Sequence, residues 1–309
     1  MRVAIAGSSG LIGTALTASL RSDGHEVRRL VRHEPRTPDE IGWAPESFGL
    51  TPDALDGVDA VVNLCGVGIG NRPWSGEFKQ KLRDSRMVPT QVLADAILAT
   101  DVPVFVSSSA TGIYGFGSDG AGDRASGDLA SGDGAFPEMT EDSPAGSGFL
   151  AELAKDWERT AALATDARVV AIRTAPVLSP SGGLLGKLRP LFKLGLGGKL
   201  GAGHQYMSWI TLVDHVRAVR FVLDNDLSGP VNLTAPQPVT NTEFTAAFGR
   251  SVHRPAILPV PAPLLRLAGG ELAREMLLGG QRAVPKVLTD NGFTFVHPTI
   301  DDGMEYANA

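Results

Sequence analysis

The chain has a single cysteine, Cys65, among its 309 residues. One thiol excludes an intramolecular disulfide and a zinc site built from several cysteines. No run of about 18 or more apolar residues is present, so we expect no transmembrane helix. The first residues form a strand-like segment and not the apolar core of a signal peptide, and we therefore expect a cytoplasmic protein.

Positive charge is scarce as well, since 28 Lys and Arg residues face 34 Asp and Glu residues and the net charge is −6. Without a long basic run, the chain lacks the electrostatic footprint of a protein that binds nucleic acid or an anionic membrane surface. The expected partner is a small-molecule substrate, and a homodimer stays an open alternative. No resident metal is expected.

The chain begins with a buried-strand pattern followed by evenly spaced glycines. Residues 3–6 are apolar, and Gly7, Gly10 and Gly13 come next. This order predicts a strand, a tight turn and a helix whose N-terminus faces a pyrophosphate. The alternative is a strand–turn–helix corner without a ligand. The expected cofactor contacts here are Gly7, Ser8, Ser9, Gly10, Leu11, Ile12 and Gly13.

The end of the second predicted strand, residues 27–31, indicates which nicotinamide cofactor is bound. NAD-binding proteins place an acid there for the ribose 2′-hydroxyl, whereas a 2′-phosphate requires an arginine. This chain has Arg32 and no acid. We therefore predict NADP(H), with His33 or Arg36 as a second contact, against the alternative that Arg32 is merely solvated.

Further cofactor contacts are expected where other strands end, because ligands of open α/β sheets bind beyond the carboxyl ends of strands. Trp43 lies either near the adenine or in the core. We interpret Cys65 as a small apolar filler and not as a nucleophile, since no neighbouring base or positive charge in the sequence indicates a depressed thiol pKa. The further cofactor contacts expected at the strand ends are Leu64, Cys65, Gly66, Ser107, Ser108, Arg173, Ala175 and Val177.

Strand and helix patterns alternate for about 170 residues and then give way to a mixed tail. This order predicts an α/β fold, a doubly wound, Rossmann-like parallel sheet over residues 1–175 with a smaller mixed C-terminal substrate lobe over residues 176–309. Part of 205–235 is expected to return to the sheet domain. Residues 116–136 are rich in Gly, Ser, Asp and Ala and are predicted to be a flexible insertion; their spaced aspartates lack a calcium-ligand pattern.

Several motifs resemble the extended short-chain dehydrogenase/reductase family, which includes the nucleotide-sugar epimerases. The glycine spacing and residues 107–115 (SSSATGIYG) carry this resemblance. More narrowly, the chain resembles an atypical branch named for sugar-nucleotide epimerases, which has its own C-terminal domain. The motifs for that branch are residues 140–144 (TEDSP), 148–152 (GFLAE), Trp157 with Glu158, 203–210 (GHQYMSWI), 229–241 (GPVNLTAPQPVTN), 280–282 (GQR) and 292–295 (GFTF).

The resemblance implies that Ser109 holds the substrate hydroxyl, but it also reveals two departures. Typical members carry a Tyr-x-x-x-Lys pair as acid/base, and this chain has Phe149 or Leu150 followed by Leu153 or Ala154. These side chains cannot move a proton. Met207 stands where sugar-nucleotide members usually have a diphosphate-binding arginine, which makes a nucleotide-diphosphate substrate less expected.

The expected function is therefore that of an NADP(H)-dependent oxidoreductase or epimerase acting on an unidentified small substrate. The alternative is a non-catalytic protein that senses NADP(H) or a metabolite. Two of the candidates also have a non-catalytic interpretation. Tyr114 would be a structural residue of a turn, and His204 would be a loop residue that hydrogen-bonds to backbone. The catalytic candidates are Ser109, Tyr114 and His204, and the substrate-binding candidates are Ser109, His204, Gln205, Trp209 and Arg282.

Overall fold

The computed structural model describes residues 1–51, 53–118 and 136–309. The chain forms two compact units. The first unit comprises Met1–Ser109, Leu153–Arg173 and Val216–Val231; the second comprises Ala110–Glu152, Thr174–His215 and Asn232–Ala309. Both units are discontinuous in sequence. The predicted functional boundary between residues 175 and 176 stays a prediction.

A seven-stranded sheet forms the centre of the fold, with strand order β7-β6-β5-β4-β1-β2-β3. Neighbours β1/β2, β1/β4, β2/β3 and β4/β5 pair in parallel. With its flanking helices, this sheet confirms the predicted Rossmann-like α/β fold. The strands are β1 Arg2–Ala6, β2 Glu26–Val31, β3 Glu40–Gly42, β4 Ala60–Asn63, β5 Val104–Ala110, β6 Arg168–Thr174 and β7 Gly229–Leu233.

The helices follow the strands in the alternation expected of this fold. A 3₁₀ turn covers Thr111–Tyr114, and a π-helical segment covers Ala273–Leu278. The α-helices are α1 Leu11–Ser22, α2 Gly76–Leu98, α3 Phe149–Ala161, α4 Gly183–Lys193, α5 Leu212–Asp224, α6 Asn241–Ser251, α7 Ala262–Leu272, α8 Lys286–Asp290 and α9 Ile300–Asn308. In the part of the chain that the structure describes, none of these helices has the length and apolar content needed to cross a lipid bilayer.

The apolar residues of β1 and β4 are buried, as continuous apolar strands in a parallel sheet should be. The structure adds β3, a short edge strand that the sequence patterns did not predict. Trp43, directly after β3, is buried in the core of the first unit with Leu30, Leu55 and Leu93. Of the two interpretations of Trp43, these contacts support packing.

The second unit is built from short paired strands and helices. Tyr206–Met207 pairs with Val239–Thr240, and Ile210–Thr211 with Val177–Ser179. Its core gathers apolar side chains from α4, α6, α9 and the segment around Trp209. Two further strand pairs are Gly279–Gly280 with Gly117–Ser118 and Arg282–Ala283 with Glu138–Met139.

Most of the predicted flexible insertion, residues 119–135, lies outside the described residues. The residues at its edges are described. Gly117–Ser118 forms one of the short strands above, and the rings of Phe136 and Tyr206 meet edge to face at 5.9 Å. The prediction of flexibility therefore stays a prediction.

Candidate functional site

The turn between β1 and α1 has the geometry that the glycine spacing predicts. Gly7 has a positive φ of 78°, and a Cβ there would lie 2.7 Å from the Leu64 carbonyl oxygen. A Cβ at Gly13 would lie 2.3 Å from the Gly7 carbonyl oxygen, so α1 can pack on this turn only with glycine. These close approaches explain why both positions are glycine, and they leave a cradle lined by backbone.

The N-terminus of α1 lacks a side-chain cap. Gly10 occupies the N-cap position, and no side-chain cap forms there among the residues that the structure describes. The first N–H groups of a helix have no partner within the helix, and the helix dipole places partial positive charge there. An anion such as a phosphate therefore fits this end of the helix.

Arg32 directly follows β2 and its side chain is exposed. Among the described residues, no carboxylate forms an ion pair with it, whereas Arg28 and Arg29 on β2 are both paired. Burial raises the pKa of the Cys65 thiol after β4, and the positive charge of Arg32 partly opposes this rise. Arg32 can thus offer its donors to an anionic ligand at the carboxyl edge of the sheet.

Cys65 itself is unsuited to nucleophilic chemistry. Burial raises the pKa of its thiol to about 12, and the charge of Arg32 opposes this only in part. The thiol is therefore protonated at neutral pH. The backbone N–H of Cys65 donates to Asn63 Oδ1 at 3.1 Å, which fixes the turn of Leu64, Cys65 and Gly66 after β4.

A buried hydrogen-bond network links the ends of β4 and β5 to α2 and α3. Thr90 Oγ1 accepts from Asn63 Nδ2 at 2.8 Å and from Trp157 Nε1 at 2.9 Å, and it donates to the Arg86 carbonyl at 2.7 Å. Asn63 Nδ2 also lies 3.5 Å from Ser107 Oγ. Ser107 is buried in this network, and Ser108, the next residue of β5, is half-buried.

Ser109, the predicted catalytic serine, is bonded to a carboxylate. Its hydroxyl donates to Glu158 Oε1 at 2.6 Å. Arg173 donates two hydrogen bonds to the same carboxylate, from Nε to Oε1 at 2.8 Å and from one Nη to Oε2 at 2.9 Å. The guanidinium of Arg173, predicted to contact the cofactor, is thus held by Glu158, and its cofactor contact stays a prediction.

Sequence reasoning missed the role of Glu158. Its only signal was the Trp157-Glu158 pair among the branch motifs. Ser109 lies 49 residues before Glu158 and Arg173 lies 15 residues after it, so no local spacing connects the three. With Ser109 Oγ donating to Glu158, the lone pairs of Ser109 are what it can offer to a substrate hydroxyl.

The positions of the missing Tyr-x-x-x-Lys pair are apolar and packed. Leu150, Leu153 and Ala154 are buried. At the start of α3, the Glu275 carboxylate accepts hydrogen bonds from the backbone N–H groups of Phe149 and Leu150 at 2.9 and 3.1 Å. Glu275 therefore caps α3, and a carboxylate at a helix N-terminus is stabilised by the helix dipole.

Tyr114, a second catalytic candidate, lies in the second unit and is 1% exposed. Its hydroxyl donates to Asn232 Oδ1 at 2.7 Å, and Asn232 Nδ2 donates to the Val284 carbonyl. These bonds tie distant segments of the unit together. They give Tyr114 a structural role, and its predicted catalytic role stays a prediction.

The neighbouring candidates His204 and Gln205 differ in exposure. The side chain of His204 is exposed. Gln205 is buried, and its Nε2 donates to the carbonyls of Leu200 and Leu277. The amide of Gln205 thus holds backbone together. Neither arrangement tests the predicted catalysis by His204 or substrate binding by either residue.

Trp209 and Arg282 complete the predicted substrate contacts. Trp209 is fully buried, packs on Gly303, and donates from Nε1 to the Gln237 carbonyl at 3.1 Å. Arg282 pairs with Glu138 at 2.9 Å and lies 5.2 Å from the ring centre of Tyr206. Both residues have structural partners, and their contacts with substrate stay predictions.

Two predicted cofactor contacts, Ala175 and Val177, follow β6 in the second unit. The N–H of Ala175 donates to the Leu233 carbonyl at 3.2 Å, and Val177 begins a short strand. Nearby, His215 is buried with Nε2 3.1 Å from Thr174 Oγ1, and burial lowers the pKa of its imidazole to about 4. His215 is therefore neutral at pH 7.

No group of three or more His, Cys, Asp or Glu side chains gathers as a potential metal site within residues 1–51, 53–118 and 136–309. The chemistry that these ranges offer is that of hydroxyl, carboxylate and guanidinium groups. The nicotinamide cofactor is the one expected group for which the glycine cradle and the uncapped α1 supply a fitting receptor.

Comparison with known families and structures gives a consistent picture. Residues 3–234 match the model of the NAD dependent epimerase/dehydratase family, and residues 260–307 match a domain of unknown function, DUF1731. Epimerase family protein Mb2239 of Mycobacterium bovis is 52% identical over 308 residues, which cover 99% of this chain and 97% of that protein.

Two solved structures are similar over the whole chain. Human epimerase family protein SDR39U1 (isoform2), solved with NADPH, superposes with a TM-score of 0.86 at 32% identity and covers 100% of this chain and 99% of its own. A nucleoside-diphosphate sugar epimerase from Corynebacterium glutamicum has a TM-score of 0.77 at 34% identity; the match covers 99% of this chain and 58% of that one.

Proposed function

The chain belongs to the NAD dependent epimerase/dehydratase family, and we propose that it binds NADP(H) and acts as an oxidoreductase or epimerase on a small substrate. The observation that carries the proposal is the glycine cradle before the uncapped N-terminus of α1. In this proposal the backbone N–H groups after Gly10 hold the pyrophosphate.

Arg32 supports NADP(H) over NAD(H). Its exposed guanidinium follows β2 and faces no described carboxylate, so it can bind the 2′-phosphate that distinguishes the two cofactors. The human relative solved with NADPH is consistent with this choice. The remaining cofactor contacts are proposed at Ser8, Leu64, Gly66 and the other predicted positions.

Ser109 is the proposed contact to the reacting oxygen of the substrate. When bound, the nicotinamide would exchange hydride with a substrate carbon. Because the Ser109 hydrogen is directed to Glu158, Ser109 Oγ would accept a hydrogen bond from a substrate hydroxyl. Arg173 keeps Glu158 in place for this orientation.

A second candidate function is supported by the apolar residues of α3. Phe149 or Leu150, followed by Leu153 or Ala154, stands in place of the usual acid/base pair, whose contribution to rate is typically about 10²–10⁴-fold. A protein that binds NADP(H) and a metabolite without turnover needs no such pair. A slow enzyme and a sensor differ in whether hydride leaves bound NADPH in the presence of substrate.

Titration of NADPH and NADH against wild type and Arg32→Asp tests the cofactor assignment. Wild type should prefer NADPH by about 10- to 100-fold, because a charge-assisted hydrogen bond contributes about 1.5–3 kcal/mol. Arg32→Asp should reverse the preference. Lys81→Asp, an exposed charge reversal on α2, is the control and should leave it unchanged; equal NADH binding by wild type would contradict the assignment.

A further inference from the structure

Arg86 on α2 carries a positive charge that no carboxylate neutralises in the described part of the chain. Its guanidinium donates to the Leu82 carbonyl at 3.0 Å, to the Val67 carbonyl at 3.1 Å and to Ser85 Oγ at 3.4 Å. All three acceptors are uncharged. A guanidinium has five N–H donors, so these bonds leave two of them without an acceptor among the described residues.

Two uncharged neighbours, Trp157 and Gly66, lie beside this guanidinium and cannot neutralise it. Arg86 lies 5.1 Å from the ring centre of Trp157, and Trp157 is fixed through its bond to Thr90. A Cβ on Gly66 would lie 3.4–3.6 Å from Cζ and both Nη atoms, so the backbone at Gly66 passes close to the cation. The unused donors therefore lie at the edge of the guanidinium.

Partial burial makes this charge costly. It lowers the pKa of Arg86 to about 10, so the side chain is still protonated at neutral pH. Buried charges in proteins are ordinarily paired, because an uncompensated one loses its hydration without gaining a Coulombic partner. An anionic ligand would supply the partner that the described residues do not.

The position of Arg86 suggests what that ligand is. Val67 follows the turn after β4, at the edge of the sheet where open α/β folds bind ligands. Trp157 lies three residues after Ala154 on α3, so both residues share one face of the helix. Arg86 therefore lies against the helix face from which the lysine of typical members projects.

We propose that Arg86 forms an anion-binding site at the carboxyl end of β4, which takes a carboxylate or phosphate oxygen of the substrate. This charge substitutes for the one that the chain lacks at Leu153 or Ala154. The proposal rests on the proposed function, since the substrate would bind beside NADP(H). The competing explanation is a purely structural clamp that ties Val67 to α2 and changes no ligand affinity.

The test is isothermal titration of malonate, and separately of inorganic phosphate, into protein saturated with NADPH. Wild type should bind at least one of the two anions, and Arg86→Met should weaken that binding at least about tenfold, as loss of a charge-assisted bond implies. The response to malonate or to phosphate separates a carboxylate from a phosphate substrate. Arg83→Met, three residues away on α2 and paired with Asp156, is the matched control and should change affinity less than about twofold.

Several outcomes would overturn the site. These are no binding of either anion by wild type, unchanged binding by Arg86→Met, or equal loss in Arg83→Met. Competition between the anion and NADPH would assign the site to a cofactor phosphate and overturn the substrate assignment. Failure of wild type to bind NADPH would contradict the proposed function instead, and the anion titration would then be made without cofactor.

A variant that fails to fold does not end the test. The Arg86 Nε–H signal of wild type can be assigned by NMR with arginine-selective labelling and the Arg86→Lys variant. A shift of that signal on addition of the anion that binds, with other arginine signals unchanged, would support the site. An unchanged signal at saturation would overturn it.

Discussion

Two arginines of the first unit have their positive charge compensated in different ways: Arg173 is buried and Arg86 is half-buried. Arg173 is 7% exposed and is bound bidentately by Glu158, which also holds Ser109. Arg86 is bound by uncharged oxygens and lies against Trp157. In both cases the cation lies near the end of a central strand.

The charge of Arg173 is already neutralised by Glu158, whereas a bound anion could neutralise the charge of Arg86. Removing one partner of a buried ion pair leaves the other charge uncompensated, which typically costs about 3–5 kcal/mol. A cation that already lacks a charged partner has no such partner to lose. The first arrangement should therefore dominate stability, and the second should respond to anions.

Glu158→Leu should have the largest effect on stability. The substitution leaves Arg173 buried without its carboxylate, and we expect a loss of about 3–5 kcal/mol in the free energy of unfolding, measured by urea denaturation. The double variant Glu158→Leu/Arg173→Met should recover most of this loss, because no buried charge is then unpaired.

The control for this prediction is Glu77→Leu, an exposed carboxylate in the first turn of α2, which should cost less than about 1 kcal/mol. A Glu158→Leu variant as stable as this control would show that Arg173 finds another partner, and the proposed contrast with Arg86 would be lost.

His215 should have an intermediate effect on stability. A buried imidazole can release its proton and become neutral, whereas a guanidinium cannot. Its pKa is lowered to about 4 by burial, against about 6.5 for an unfolded chain. Between these values the unfolded state binds more protons, so stability falls as pH decreases. From pH 7 to pH 5, wild type should lose about 2 kcal/mol more than His215→Gln, which does not titrate.

Urea denaturation at both pH values measures this difference. His215→Gln can still hydrogen-bond Thr174, which makes it a close structural match. Parallel pH dependence in the two proteins would mean that His215 is solvated or paired in solution, and burial alone would no longer explain its behaviour.

Arg86→Met should have the smallest effect of the three on stability. Hydrogen bonds to neutral acceptors contribute about 0.5–1.5 kcal/mol each, and relief of the buried charge offsets part of their loss. We expect a net change below about 1.5 kcal/mol in urea denaturation. A loss as large as that of Glu158→Leu would favour the structural clamp over the anion site.

Local sequence patterns predicted the turn between β1 and α1, the central strands and the family. Gly7 and Gly13 are required by contacts with residues close in sequence or on the neighbouring strand, and an apolar run predicts its own burial in a parallel sheet. Arg32 could be predicted as the 2′-phosphate contact because that prediction depends only on its place after β2. These features depend on local sequence, so periodicity and spacing can predict them.

Charge pairing and hydrogen bonding were decided by tertiary structure alone. Glu158 meets Ser109 across 49 residues, Glu275 caps α3 from 125 residues away at Leu150, and Tyr114 reaches Asn232 across 118 residues. Whether Arg86 or Arg173 has a carboxylate partner cannot be inferred from the residues beside it. The physical reason is that compensation of a buried charge depends on what folding brings within a few ångströms, and sequence spacing does not encode that distance.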